Sequence, residues 1–319
     1  MDFRDWVVAS LGLPGNIDSA IKMNLQLAAK TVKALNGATT RLDEETLTGA
    51  MIGALVSAHP MSAASYPADS ETAIRWSSYT KHGGKIHSER NSGADFALVL
   101  AFPDGCLRLA IFQAKSDWSA SSSKNTLVVG QIKQSPEVKD ETGRIIRQSQ
   151  RRNQVEALVK AGNAIQFKED SRLSVQNLTW VHYLCQFEDG IRAVALSDIE
   201  DDVRTSITLR KEVRVRLNPE DGTRLDKLLE EACVAGGSGW LEIPSLGGGA
   251  LPAPIDLSAL VQLMPVVVGE EGVARPGLKM GPNVKVGMLT EPLLDVPTPE
   301  PGPAPPPTPK RANTRRPKT

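Results

Sequence analysis

Gly93-Ala94-Asp95-Phe96-Ala97-Leu98-Val99-Leu100, followed across Pro103-Asp104-Gly105 by Leu107-Arg108-Leu109-Ala110-Ile111-Phe112-Gln113-Ala114-Lys115, is the stretch that decides the fold. Both runs are apolar and rich in β-forming residues, and Pro-Asp-Gly is a strong turn signal. They read as adjacent antiparallel strands of a buried sheet. Side chains alternate along a strand, so Gln113 and Lys115 share one face and Ala114 turns to the other. The hairpin carries Asp95 alongside them. A carboxylate, an amide and an ammonium therefore gather where strands this apolar give them no structural reason to be.

A second polar element precedes the hairpin. In Asp43-Glu44-Glu45-Thr46-Leu47-Thr48-Gly49-Ala50-Met51-Ile52-Gly53-Ala54-Leu55 the acids open a helix, where they complement its dipole. Leu47, Met51, Ala54 and Leu55 form its core-facing stripe, and Glu44 extends that stripe one turn back. Glu45 faces more to the side. Taken singly, each polar residue also has an ordinary reading: Asp95 as a turn or cap residue, Glu44 and Glu45 as an acidic first turn, and Lys115 as a strand-end lysine snorkelling into water.

Together, over roughly residues 40–190, the order helix acid, strand acid, strand Gln-x-Lys resembles the PD-(D/E)xK nuclease superfamily. The closest likeness is to its Mrr-like branch, where glutamine replaces the acid before x-Lys. The resemblance implies an α/β fold of restriction-endonuclease type, with a mixed central sheet flanked by helices. It also implies that Asp95, Gln113 and the main-chain carbonyl of Ala114 hold a divalent metal, Mg2+ or Mn2+, while Lys115 assists attack of water on a phosphodiester. Such hard cations take oxygen ligands. Because Gln113 is neutral, a further acid is expected. In related nucleases a Glu-acid-x-x-Thr pattern opens the first core helix and supplies it, which matches Glu44 and Thr48, with Glu45 as the alternative.

The overall balance of 37 Lys and Arg against 37 Asp and Glu excludes broad attraction to nucleic acid, so any contact with DNA is local. Arg144, Arg147, Arg151 and Arg152 form a candidate patch leading into Val155-Glu156-Ala157-Leu158-Val159, read as a helix that Gly162 ends. In the superfamily this helix follows the x-Lys strand and often carries a glutamine facing the active site, a position Gln150 or Gln154 fills. Arg147, Gln150, Arg151 and Gln154 are accordingly the candidate nucleic-acid contacts; a solvated polar face is the competing reading. Lys124, Lys133 and Lys139 lie in a stretch that reads as a loop closing over substrate.

Elsewhere, Ile21, Leu25, Ala28, Val32 and Leu35 mark an amphipathic helix ended by Gly37, suited to packing or to contact between two copies of the chain. His82 and His87 read as bordering a strand, with Glu89 a minor candidate for the acidic cluster. Asn163–Phe167, Thr179–Phe187 and Ile191–Leu196 read as strands. Asp221–Ala235 reads as a helix, and the basic residues Arg210, Lys211, Arg214 and Arg216, alternating with apolar ones, as an edge strand. Leu257–Val268 is apolar enough to dock on the body. Three scattered cysteines show no metal or disulfide spacing. No apolar run is long enough to span a bilayer and the N-terminus has no signal-like pattern, which points to a cytoplasmic protein.

Segment 292–319 holds 10 of the 22 prolines and then turns basic; it has too little apolar content for a core and reads as a disordered tail, a ligand for a protein partner or a phosphate tether. The chain thus divides into a helical segment 1–39, a nuclease-like core 40–190, accessory strands and helix 191–291, and the tail 292–319. The expected activity is metal-dependent hydrolysis of double-stranded DNA in bacterial restriction or anti-phage defence. A catalytically inactive scaffold on the same fold, recruiting partners through its tail, is the alternative from another class. RNA or a modified nucleic acid is a further candidate substrate.

Overall fold

The computed structural model describes residues 2–38, 43–66, 72–77, 92–102, 106–116, 126–135, 138–139, 145–147, 150–166, 174–187, 190–218, 220–243, 263, 265–270 and 286–288. All of them belong to one compact unit, Met1–Leu289. The Pro103-Asp104-Gly105 turn, His82, His87, Glu89, Lys124, Arg144 and the Pro-rich segment 292–319 lie outside the described residues.

Three helices come first: α1 Phe3–Leu11, α2 Ala20–Ala38 and α3 Glu44–Ser65. Strands β1 Thr72–Ser77, β2 Phe96–Ala101 and β3 Leu107–Ser116 follow, then the short strands β4 Thr126–Val129, β5 Ile132–Ser135, β6 Val138–Lys139, β7 Ile145–Arg147 and β8 Gln150–Asn153. Helix α4 Gln154–Gln166 leads to β9 Val181–Phe187, β10 Gly190–Ala195 and helix α5 Glu200–Leu209. After β11 Val213–Arg216, β12 Thr223–Arg224 and helix α6 Leu225–Glu231 come β13 Leu241–Ile243, β14 Pro265–Glu270 and β15 Val286–Met288.

The fold is mixed α/β. Its central nine-stranded sheet runs β12-β10-β9-β3-β2-β14-β1-β15, with β13 pairing the first half of β3. The sheet is mixed because β3 runs parallel to β9 and β14 parallel to β2, while β2 and β3 are antiparallel. Every described residue of β2 is buried, as expected for a strand covered on both faces. Leu107, Leu109 and Ile111 of β3 pack with Val155, Leu158 and Val159 of α4 on one face. Ala110, Phe112 and Ala114 point to the other face, against α2, α3 and α6. By the same alternation Gln113 and Lys115 fall on the α4 face.

Helix α3 follows the expected stripe, with Leu47, Met51, Ala54 and Leu55 buried. Asp43 caps it by accepting a hydrogen bond from the Thr46 N–H at 2.7 Å. Helix α2 buries Ile21, Leu25, Ala28 and Val32 as its periodicity requires, whereas Leu35 is exposed and the helix runs through Gly37 to Ala38. The sheet's α3 side is closed by an aromatic column, Phe96 on Phe112 on His182, with Trp240 edge-on to Phe112.

Several expectations are corrected. Gly162 lies inside α4, which continues to Gln166, and Asn163–Gln166 is helical instead of a strand. A Cβ at Gly162 would lie 2.9 Å from Leu178 Cδ2, so this glycine admits the packing of the following segment and does not end the helix. Asn163 is fixed in the helix by donating to Val159 O at 2.8 Å and to Ser174 O at 2.9 Å. The stretch 126–135, expected as a loop, forms β4 and β5; β4 pairs with β11 and β5 with β8. Arg210 ends α5 instead of starting a strand, and only Val213–Arg216 of that basic run is extended. The helix expected over Asp221–Ala235 is limited to α6, preceded by β12.

Candidate active site at the end of the central hairpin

The C-terminal end of β3 meets the N-termini of α3 and α4, one helix from each face of the sheet. Lys115 sits at this junction and is only 7% exposed. Its Nζ donates to Glu44 Oε1 at 3.2 Å and to Gln154 Oε1 at 3.2 Å. Glu44 is the first residue of α3 and Gln154 the first of α4, so two helix starts converge on a single ammonium. Burial alone would penalise that charge; one carboxylate and one amide oxygen compensate it. The snorkelling reading of Lys115 is thereby replaced by an inward, paired lysine.

Asp95 precedes β2 and brackets Gln113 across the hairpin. Its backbone N–H donates to Phe112 O at 2.9 Å, and its Oδ2 accepts from the Ala114 N–H at 2.6 Å. The carboxylate is half-buried, so it retains a path to solvent. Gln113 between those two residues is 1% exposed, and neither its Oε1 nor its Nε2 has a hydrogen-bond partner. Leaving such groups unmatched costs about 1–3 kcal/mol each, so an orphaned amide at this spot is a cost the fold carries.

Room for this junction comes from Gly93. Its φ is +69°, and a Cβ there would meet Gln154 O at 2.4 Å and Leu158 N at 3.0 Å. Only a glycine lets the segment before Asp95 pass this close to the first turn of α4. Asn153, which sequence reasoning missed, sets that turn: its Oδ1 accepts from Val155 N at 3.0 Å, and its Nδ2 donates to Ser206 O at 2.9 Å. An Asn just before an apolar-periodic run is a recognisable cap signal; its tie to α5 is not visible locally.

Beside Lys115 and Gln113 in the sheet lie their register partners on β9, Cys185 and Tyr183. Burial pushes the Cys185 thiol up to about 12, against the opposing pull of the Lys115 charge. Burial likewise raises the Tyr183 phenol well above its usual range, and the Glu44 charge adds to this. Both therefore stay neutral at physiological pH, and the ionic character of the site rests with Lys115, Glu44 and Asp95.

Among the described residues no three His, Cys, Asp or Glu side chains cluster closely enough to hold a metal ion. Among the described residues the acids of this site are Asp95 and Glu44, and further side-chain oxygens come from the amides of Gln113 and Gln154. Carboxylate, carboxylate and amide oxygen are nonetheless a hard donor set suited to Mg2+ or Mn2+. The buried, unpartnered Oε1 of Gln113 is the feature that such an ion would explain.

Of the candidate nucleic-acid contacts, Arg151 is exposed on β8 and Gln154 is buried at the start of α4. Arg147 and Gln150 lie on the β7 and β8 backbones. Glu45 is exposed, beside Glu44 but turned outward. No family model, no curated protein and no solved structure matches the chain. Among the described residues no helix is long and apolar enough to cross a membrane.

Proposed function

We propose that the chain is a divalent-metal-dependent endonuclease of the PD-(D/E)xK type, built on a restriction-endonuclease-like core, that hydrolyses phosphodiester bonds in DNA. The observation that carries this reading is the meeting of Glu44, Lys115 and Gln154 within hydrogen-bond distance, from the three elements in which the superfamily resemblance expects an acid, a lysine and a glutamine. Asp95, bonded to the backbone between Gln113 and Lys115, supplies the strand acid.

In this reading Asp95, Gln113, the Ala114 carbonyl and Glu44 would hold Mg2+ or Mn2+. When bound, such an ion lowers the pKa of a water molecule and neutralises charge on a phosphate. The chain's own groups do the rest. Gln154 and Glu44 orient the Lys115 ammonium, which stabilises the charge that grows on the phosphoryl oxygens in the pentavalent transition state. Because the ammonium is already positioned and largely out of water, its reorganisation during the reaction is small. Tyr183 and Cys185, the neutral register partners on β9, add no charge of their own to the site. Bacterial restriction or anti-phage defence in the cytoplasm is the setting the resemblance suggests, by analogy alone.

A second reading, a scaffold that kept the fold without the chemistry, is favoured by the glutamine at 113 and the scarcity of acids. It would recruit a protein partner through the Pro-rich basic segment 292–319. Calorimetric titration with Mn2+ separates the two. The nuclease reading expects saturable binding by the intact chain that is lost in Asp95→Asn together with cleavage of duplex DNA. The scaffold reading expects neither binding nor cleavage.

A further inference from the structure

Beside the candidate site, β8, α4 and the end of α5 enclose a groove of about 550 Å³. Arg151, Arg152, Asn153, Glu156, Lys160 and Arg210 are among the residues that line it. Among the described lining residues four cations thus face one carboxylate, in a chain whose total charge is zero. Glu156 is taken up by Lys160, whose Nζ lies 2.6 Å away. Arg151, Arg152 and Arg210 are all exposed, and among the described residues no carboxylate forms an ion pair with Arg151 or Arg210. The groove and the site share one stretch of chain: Asn153 lines the groove, and the next residue, Gln154, holds Lys115.

Arg210 adds an independent observation. It is the one described non-glycine residue with positive φ, at +47°, and it occupies the left-handed position after α5 where glycine is the relaxed choice. Its surroundings are fixed. Lys211 N donates to Ser206 O at 3.2 Å, Ser206 Oγ donates to Lys211 O at 2.6 Å, and Asn153 Nδ2 donates to Ser206 O. The end of α5 is thereby locked to the start of α4, and a guanidinium is held at the groove rim at a conformational cost. Such cost concentrates at functional positions.

We propose that this groove seats the phosphate backbone of duplex DNA beside Lys115, with Arg151, Arg152 and Arg210 as the contacts; this rests on the nuclease reading and gives its substrate a path. Among the described residues the lining contains no aromatic side chain on which an unpaired base would stack, unlike single-strand channels. Guanidinium groups recognise phosphate by paired N–H donors without reading sequence. Contact here is therefore sequence-independent and salt-sensitive.

The test is fluorescence anisotropy of the full chain with a short labelled duplex in EDTA, since guanidinium–phosphate contacts need no metal and nothing is cut. The variants are Arg210→Gly, Arg151→Gln and, as a charge-matched control elsewhere, Lys33→Gln on α2. Each groove variant should weaken binding about tenfold at roughly 0.1 M salt and lower the slope of log affinity against log salt by about one. Lys33→Gln should bind as the intact chain does. Arg210→Gly should keep or raise the melting temperature, because it relaxes the backbone while removing the charge. Wild-type affinity in both groove variants, an equal loss in Lys33→Gln, no duplex binding by the intact chain, or preferential binding of the single strand or of polyglutamate would overturn the proposal. Groove-dependent binding without cleavage in Mg2+ would retain the groove and reject the nuclease. Cleavage with unaltered binding by the groove variants would do the reverse.

Discussion

Lys115 on β3 and Glu44 at the start of α3 form an ion pair of 3.2 Å that joins the sheet to a helix 71 residues earlier in the chain. The pair is open on one side, since the Glu44 side chain is 38% exposed while that of Lys115 is 9% exposed. In the proposed metal site, that asymmetry would let Glu44 hold the lysine and still reach an ion from solvent. Glu44→Gln keeps a hydrogen-bond acceptor beside Lys115 and removes the charge. Its cost should be about 1 kcal/mol, well below that of breaking a fully buried pair, because solvent screens the carboxylate. Urea denaturation measures this; metal affinity by calorimetry should fall more steeply than stability.

Gln113 should behave in the opposite sense. Both polar atoms of its amide are buried without partners, so Gln113→Leu removes an unmatched group at similar volume. The variant should be more stable by about 1 kcal/mol and should lose metal affinity. A lower denaturation midpoint for Gln113→Leu would show that the amide is held in the fold by a partner.

His182 should set the acid limit of the fold. Burial lowers its pKa from 6.5 to about 4, with the Gly239 carbonyl, 2.8 Å from Nε2, opposing the shift. The neutral ring carries its proton on Nε2, and the folded chain binds a second proton less well than the unfolded chain. Stability from this residue is therefore complete above pH 6.5 and is lost as pH falls toward 4, by up to about 3 kcal/mol at ~1.4 kcal/mol per pH unit. His182→Gln should flatten the midpoint-against-pH curve across that window. An unchanged slope would place the acid sensitivity elsewhere.

The parts of this molecule legible in the sequence are those fixed by local pattern. The hairpin of β2 and β3 follows from two apolar runs around a turn signal, and α3 from acids leading a helical stripe. Within the site, the strand period puts Gln113 and Lys115 together, and the stripe puts Glu44 on the inner side of α3. What stayed hidden depends on distant pairing. Nothing near Pro265–Glu270 announces that this strand lies between β1 and β2, because the partners are more than a hundred residues away. Helix α5 has acids in its first turn but buries only Val203 and Ser206, a stripe too thin to read. The alternation that reads Arg210 into a strand is blind to a left-handed backbone. Gly162 and Gly93 show the same limit: each is required by another element's approach, which the local sequence does not contain.

The proposed action of Lys115 on the transition state, from a fixed position, is tested by one paired measurement. Lys115→Met retains the apolar stem in its buried site and removes the ammonium, so the fold is preserved better than in Lys115→Ala. Duplex cleavage and duplex binding are then followed together across a Mg2+ titration for the intact chain and this variant. Cleavage should be lost by a factor of at least ~100, as for removal of a transition-state charge partner, while the dissociation constants for duplex and metal should change by no more than a few fold. Turnover by Lys115→Met at a rate near that of the intact chain would contradict it.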